Sequence, residues 1–140
     1  MRIMAIDYGD ARTGVAVSDE FQSITGDAWV LQNKNTQSIA EAITKEATQR
    51  GVSRIVMGYP KNMDGSIGPR AEKSGQFAEL LRSLCDIDIE LWDERMTTKS
   101  AHRILADTGR FGKKRKKVID AVAASLILES YLAYTNSCKI

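Results

Sequence analysis

Residues 2–18 read RIMAIDYGDARTGVAVS. Two apolar, β-branched runs, 2–7 and 14–18, flank the turn-rich link of Tyr8, Gly9, Asp10, Ala11, Arg12 and Thr13. That pattern predicts a β-hairpin opening the chain. Its first strand ends in an acid, Asp7, followed by Tyr8-Gly9. Ala28 to Gln32 continues the alternation as a third strand. Ser38-x-x-Glu41 then offers a capping box for a helix with Ile39, Ile43 and Ala47 on one face, closed by Gly51. The apolar run 53–58 (SRIVMG) after a helix reads as a buried parallel strand. The loop YPKNMDGSIG (59–68) leads to Pro69 at the first turn of a second helix, whose apolar face is Phe77, Leu80, Leu81 and Leu84.

Ile87 to Trp92 reads as the fifth strand, ending in Asp93 and Glu94. Thr97 or Thr98 can cap a helix carrying Ala101, Ile104 and Leu105, closed by Gly109. The last helix, from about Val118 to Tyr134, is apolar almost all round and so is expected to be largely buried. The order β-β-β-α-β-α-β-α-α predicts an α/β fold with a mixed five-stranded sheet: three antiparallel strands, then alternating strand and helix units, with helices on both faces. No linker, repeat or low-complexity tract divides the 140 residues, so one domain spanning 1–140 is expected.

Composition narrows the function class. With 43% hydrophobic and 27% charged residues, the chain is an ordinary globular sequence that folds without staples. No apolar stretch reaches the length of a bilayer span, and MRIMAID has no secretory-leader pattern, so a cytoplasmic protein without membrane contact is expected. The two cysteines, Cys85 and Cys138, form no CxxC or Cys/His cluster and read as reduced thiols. Net charge is +2, yet Lys113, Lys114, Arg115, Lys116 and Lys117 alone carry +5, which leaves the remainder net acidic. Charge so concentrated points to a polyanionic partner.

In open α/β sheets the functional crevice lies beyond the carboxyl ends of the strands. Asp7 ends one such strand, and Asp93 and Glu94 end another. Asp120 lies early in an otherwise apolar helix, on one face with Ala123, Ala124 and Ile127, small and apolar positions that allow close approach to the sheet. Three carboxylates from separate elements, with no competing Cys or Ser–His pair, make a hard oxygen site suited to Mg2+ or Mn2+ and to phosphodiester hydrolysis. The glycine-flanked basic segment 109–117 reads as a mobile loop contacting phosphates without sequence preference. Arg12 and Arg70, on loops predicted at the same edge, extend that surface.

The segments IDYGDARTGVAVSD (6–19), GYPKNMDGSIGPRA (58–71), DERMTT (93–98) and KKRKKVIDAVAASLIL (113–128) together resemble the YqgF (RuvX) family of RNase H-like nucleases, described as Holliday junction resolvases and pre-16S rRNA processing nucleases. The resemblance implies an RNase H-like (RuvC-like) fold with metal-binding catalytic acids at Asp7, Glu94 and Asp120. Asp93 stands as the substitute for Glu94, because a one-residue slip in register exchanges their faces. It further implies cleavage of structured RNA such as pre-16S rRNA, or of branched DNA, by a monomer or homodimer. Related nucleases often bring a fourth acid three residues after the last-helix Asp, where this chain has Ala123. The competing expectations are a non-catalytic nucleic-acid-binding or ribosome-assembly factor of the same fold, and an ATP-binding relative of actin and Hsp70. For the latter, 140 residues provide only one lobe.

Overall fold

The computed structural model describes residues 2–9, 11–19, 25–32, 35–60, 64–93 and 112–137; for 25, 112–121, 136 and 137 it describes the backbone alone. Glu94 and the helix expected over 97–109 lie outside the described residues. Five strands, β1 (Arg2–Tyr8), β2 (Arg12–Ser18), β3 (Thr25–Gln32), β4 (Val52–Tyr59) and β5 (Asp88–Asp93), form one sheet in the order β3-β2-β1-β4-β5. The first three pair antiparallel, while β4 pairs parallel to β1 and to β5, as the sequence predicts. β1 is therefore central.

Alternation along the strands divides the core in two. Met4, Ile6, Val15, Val17, Ile55, Met57 and Ile89 pack against α1 (Thr36–Gln49) and α2 (Pro69–Leu84) on one face. Ile3, Ala5, Ala16, Val56 and Trp92 pack against α3 (Gly112–Ser137) on the other. The cross-strand pair Ala5–Ala16 meets Ala124 of α3 in that second core, all three fully buried, so small side chains let the helix backbone come close to the sheet. Each large aliphatic side chain buried in this way contributes about 1.5–3 kcal/mol.

Two helix starts differ from the sequence expectation. Helix α1 begins at Thr36, capped by Asn35, whose Oδ1 accepts from the Ser38 amide at 3.1 Å. Ser38 thus occupies the third helical position instead of the cap, since Asn caps as well as Ser and the earlier start adds nearly a turn. Helix α3 begins at Gly112, so the backbone of 113–117 is helical and not a loop, because Lys and Arg are strong helix formers and nothing breaks the run into Val118. Along α3, Ala124, Leu126, Ile127, Leu128, Tyr131 and Leu132 are buried and, among its described side chains, only Glu129, Ala133 and Tyr134 are exposed, so this stretch is largely covered, as its apolar sequence predicts.

Candidate nuclease site

Asp7 is the penultimate residue of β1 and is half-buried. It follows Ile3 and Ala5 in alternation, so its carboxylate belongs to the α3 face. Its partner on β2 is Gly14. On the other side, the residue after the Ile6–Met57 pair is Gly58, which pairs with Trp92 of β5. The row across the sheet is thus Val30, Gly14, Asp7, Gly58, Trp92. The residues directly beside Asp7 in this row are both glycines, which carry no side chain.

The turn that follows is built tightly. The Gly9 amide donates to the Arg12 carbonyl at 3.0 Å, and a Cβ on Gly9 would lie 2.5 Å from that backbone oxygen. Glycine is required there by close approach, and the closure places the start of β2 beside the end of β1. Arg12 is the first residue of β2 and shares its face with Gly14 and Ala16, hence with Asp7. Arg70 lies in the first turn of α2, exposed, on the opposite side of the sheet. Neither arginine sits in a loop, because the hairpin link is shorter than expected and Pro69 starts α2 at once.

At the end of β5, Glu90 and Trp92 lie on the α3 face: Trp92 packs in that core, and Glu90 accepts from the Tyr131 hydroxyl of α3 at 2.8 Å. Asp93, one residue on, therefore falls on the α1/α2 face, away from Asp7. Trp92 is 9% exposed, and its indole N–H has no hydrogen-bond partner among the described residues. Asp120 lies on the backbone of α3 four, seven and eleven residues before Ala124, Ile127 and Tyr131, a helical stripe whose three members are buried against the sheet. Lys113 to Lys117 occupy the first turns of the same helix. Among the described residues no group of three or more His, Cys, Asp or Glu converges.

The far end of α3 is fastened to the sheet. Arg54 of β4 donates to the Tyr131 hydroxyl at 2.6 Å, and that hydroxyl donates to Glu90. Arg54 also lies 3.6 Å from Glu90 and 3.7 Å from Asp88. Burial, above all, pushes the Tyr131 phenol upward, and the hydrogen bond to Tyr131 raises Arg54 further. The Tyr131 ring meets Trp92 edge-on at 5.3 Å between centroids.

Comparison with known proteins fits this geometry. The family model for RuvX, described as Holliday junction resolvase, matches residues 1–134. The chain belongs to the RuvX family. A relative from Halothermothrix orenii, named "Putative pre-16S rRNA nuclease", is 46% identical over 136 residues, covering 97% of each chain. Among solved structures, T. thermophilus RuvC in complex with a Holliday junction substrate superimposes with a TM-score of 0.62 at 12% identity, over 96% of each chain. The fowlpox virus Holliday junction resolvase does so with a TM-score of 0.56 at 14% identity, over 99% of each. These likenesses establish the RNase H-like fold, and membership in RuvX makes the chain a nuclease. Among the described residues no helix is long and apolar enough to cross a membrane.

What sequence reasoning missed was the glycine strip. Gly14 and Gly58 stand 44 positions apart in the chain, and only strand register sets them on either side of Asp7. The available signal was the alternation itself: each lies an even number of residues from a core position of the α3 face, Ala16 for one and Val56 for the other.

Proposed function

We propose that this RuvX nuclease is a divalent-metal-dependent endonuclease of structured nucleic acid. Precursor 16S rRNA, the substrate in the name of its relative, is the first candidate, and a branched DNA junction is the second. The observation that carries the reading is the half-buried Asp7 carboxylate at the end of the central strand, on the α3 face, between two glycines. A hard carboxylate whose neighbours in the strand register are glycines, which carry no side chain to crowd it, suits Mg2+ or Mn2+. Asp7, Glu94 and Asp120 are the residues we assign to hold one or two such ions. The β5 alternation favours Glu94 over Asp93, and the buried stripe of α3 favours Asp120. A cation bound there supplies an activated water and stabilises the leaving oxygen.

The chain's own groups do the rest. Position 123 is Ala and offers no fourth carboxylate, so a second ion would be weakly held or would need a substrate phosphate oxygen in its place. Arg12, on the Asp7 face, holds the adjacent phosphate, and Lys113 to Lys117 and Arg70 carry the flanking backbone without reading bases.

The test is Asp7→Asn. Asn keeps the shape but loses the charge that holds a hard cation. Cleavage of a labelled rRNA precursor hairpin in Mg2+ or Mn2+ should be abolished, while binding stays equal or tightens through loss of one repulsive charge. The parent's thermal stabilisation by Mn2+, about 2.7 kcal/mol at a hundred times the dissociation constant, should also vanish. Cleavage at the parent rate would make Asp7 a turn residue only. A parent that binds but never cuts would favour the assembly-factor reading.

A further inference from the structure

On the opposite side of the same sheet edge, a cleft of about 350 Å3 opens between α1 and α2, lined by Tyr8, Thr36, Lys73, Gln76, Phe77 and Leu80. Tyr8 follows Asp7 directly, so strand alternation sends the two side chains to opposite faces of one edge. The Tyr8 ring is stacked on Phe77 at 4.2 Å between centroids and 12° between planes. Phe77 is 2% exposed and part of the core, so it fixes the Tyr8 ring from behind. Around this flat aromatic surface stand groups with distinct chemistry: the Gln76 amide can both donate and accept, the Thr36 hydroxyl can do the same, and Lys73 supplies a cation at the exposed rim. Lys73 lies one helical turn beyond Arg70, so the two cations adjoin on α2.

An aromatic platform, hydrogen-bonding groups of both kinds and a lysine at the mouth match one ligand chemistry, an unpaired nucleotide. The volume is at the small end of ligand sites, enough for one base and not for a duplex. We infer that this cleft is a subsite for one unpaired nucleotide flanking the bond cut at Asp7, the base lying against Tyr8 and its phosphate against Lys73. The inference rests on the nuclease reading above and deepens it: the preferred substrate has a single-stranded nucleotide next to the cut. Alternation at the end of β1 is the reason, since Asp7 and Tyr8 are one residue apart and successive nucleotides can address the two faces in turn.

The experiment is an abasic scan. A hairpin RNA with a single-stranded flank, its helix end fixing the register, is prepared with the base removed at each flank position in turn. Binding to the whole chain is titrated without divalent metal, so that nothing is cut. For the parent, one position next to the cleavage site should lose about 5- to 150-fold in affinity, the range of one base stacked on an aromatic side chain. Tyr8→Leu should weaken the intact probe comparably and remove the dependence on that base. Lys73→Gln, on an exposed helix face, should lower the salt slope by about 0.7 for a single-stranded contact while keeping the abasic profile.

A flat parent profile, or an equal abasic penalty in a folded Tyr8→Leu variant, overturns the subsite. Should Tyr8→Leu melt early, the parent scan and Lys73→Gln decide: a flat profile, or an unchanged salt slope, refutes. If the parent shows the profile yet fails to cut the same probe in Mg2+ or Mn2+, the nuclease reading fails and the nucleotide site stands.

Discussion

Replacing Tyr131 by Phe removes a single oxygen, yet that oxygen is hydrogen-bonded to both β4 and β5. It accepts from Arg54 at 2.6 Å and donates to Glu90 at 2.8 Å. A hydrogen bond to a charged group is worth about 1.5–3 kcal/mol when its partner is left buried. Here the Arg54 and Glu90 side chains are 42% and 43% exposed, so water re-solvates both once the hydroxyl is gone. Their own ion pair at 3.6 Å persists, as does the edge contact of the ring with Trp92. The net loss should therefore be about 1–2 kcal/mol, or roughly 3 to 8 °C in Tm for a chain of this size.

The same residue predicts a pH dependence. Burial raises the Tyr131 phenol above its ordinary value near 10, so the folded state holds that proton more tightly than the unfolded chain. The resulting stability is fully present below about pH 10 and is lost as pH rises through the raised value. Tyr131→Phe has no such proton. The difference in Tm between parent and variant should be constant from pH 6 to 9 and should narrow above about pH 10. Thermal melts followed by circular dichroism across that range check both statements. A variant that melts within 1 °C of the parent at pH 7, or a difference that does not narrow in alkali, would refute the clasp. Because Asp120 lies eleven residues, about 16 Å, along the helix from Tyr131, cleavage at 25 °C should fall less than tenfold.

Two further outcomes follow. Gly9→Ala places a methyl 2.5 Å from the Arg12 carbonyl, a backbone atom that cannot swing aside, so the hairpin turn beside Asp7 must distort; Tm should drop by several degrees and cleavage should fall more than binding, as read by melts and single-turnover assays. Changing all of Lys113, Lys114, Arg115, Lys116 and Lys117 to Gln should flatten the salt dependence of duplex binding by about 2 to 3 log–log units and not by five contacts' worth, because successive helical positions are 100° apart and only some of them face one phosphate backbone. The same change should raise Tm slightly in the absence of nucleic acid, since cations in the first turn oppose the helix dipole. An unchanged slope would remove this helix end from the interface.

Much of this was legible in the chain. The hairpin, the alternation of strands and helices after it, and the isolation of Asp7 and Asp120 among apolar neighbours all follow from local periodicity, because a half-buried strand or helix must show its period in the residues it buries. Pro69 at the start of α2 and Gly51 at the end of α1 acted where their backbone constraints predict, Gly51 with φ of +69°. Boundaries were less legible: the start of α3 at Gly112 was hidden because a run of like charges reads as a solvated loop, although its helix propensity is high. Register was not legible at all. That Gly14 and Gly58 border Asp7, that Asp93 falls on the face away from it, and that Tyr8 meets Phe77 across the sheet edge depend on which residues of separate strands stand opposite one another. The sequence determines which side chains alternate; only tertiary pairing decides what each one faces, because the hydrogen-bond ladder joins residues that no local pattern relates.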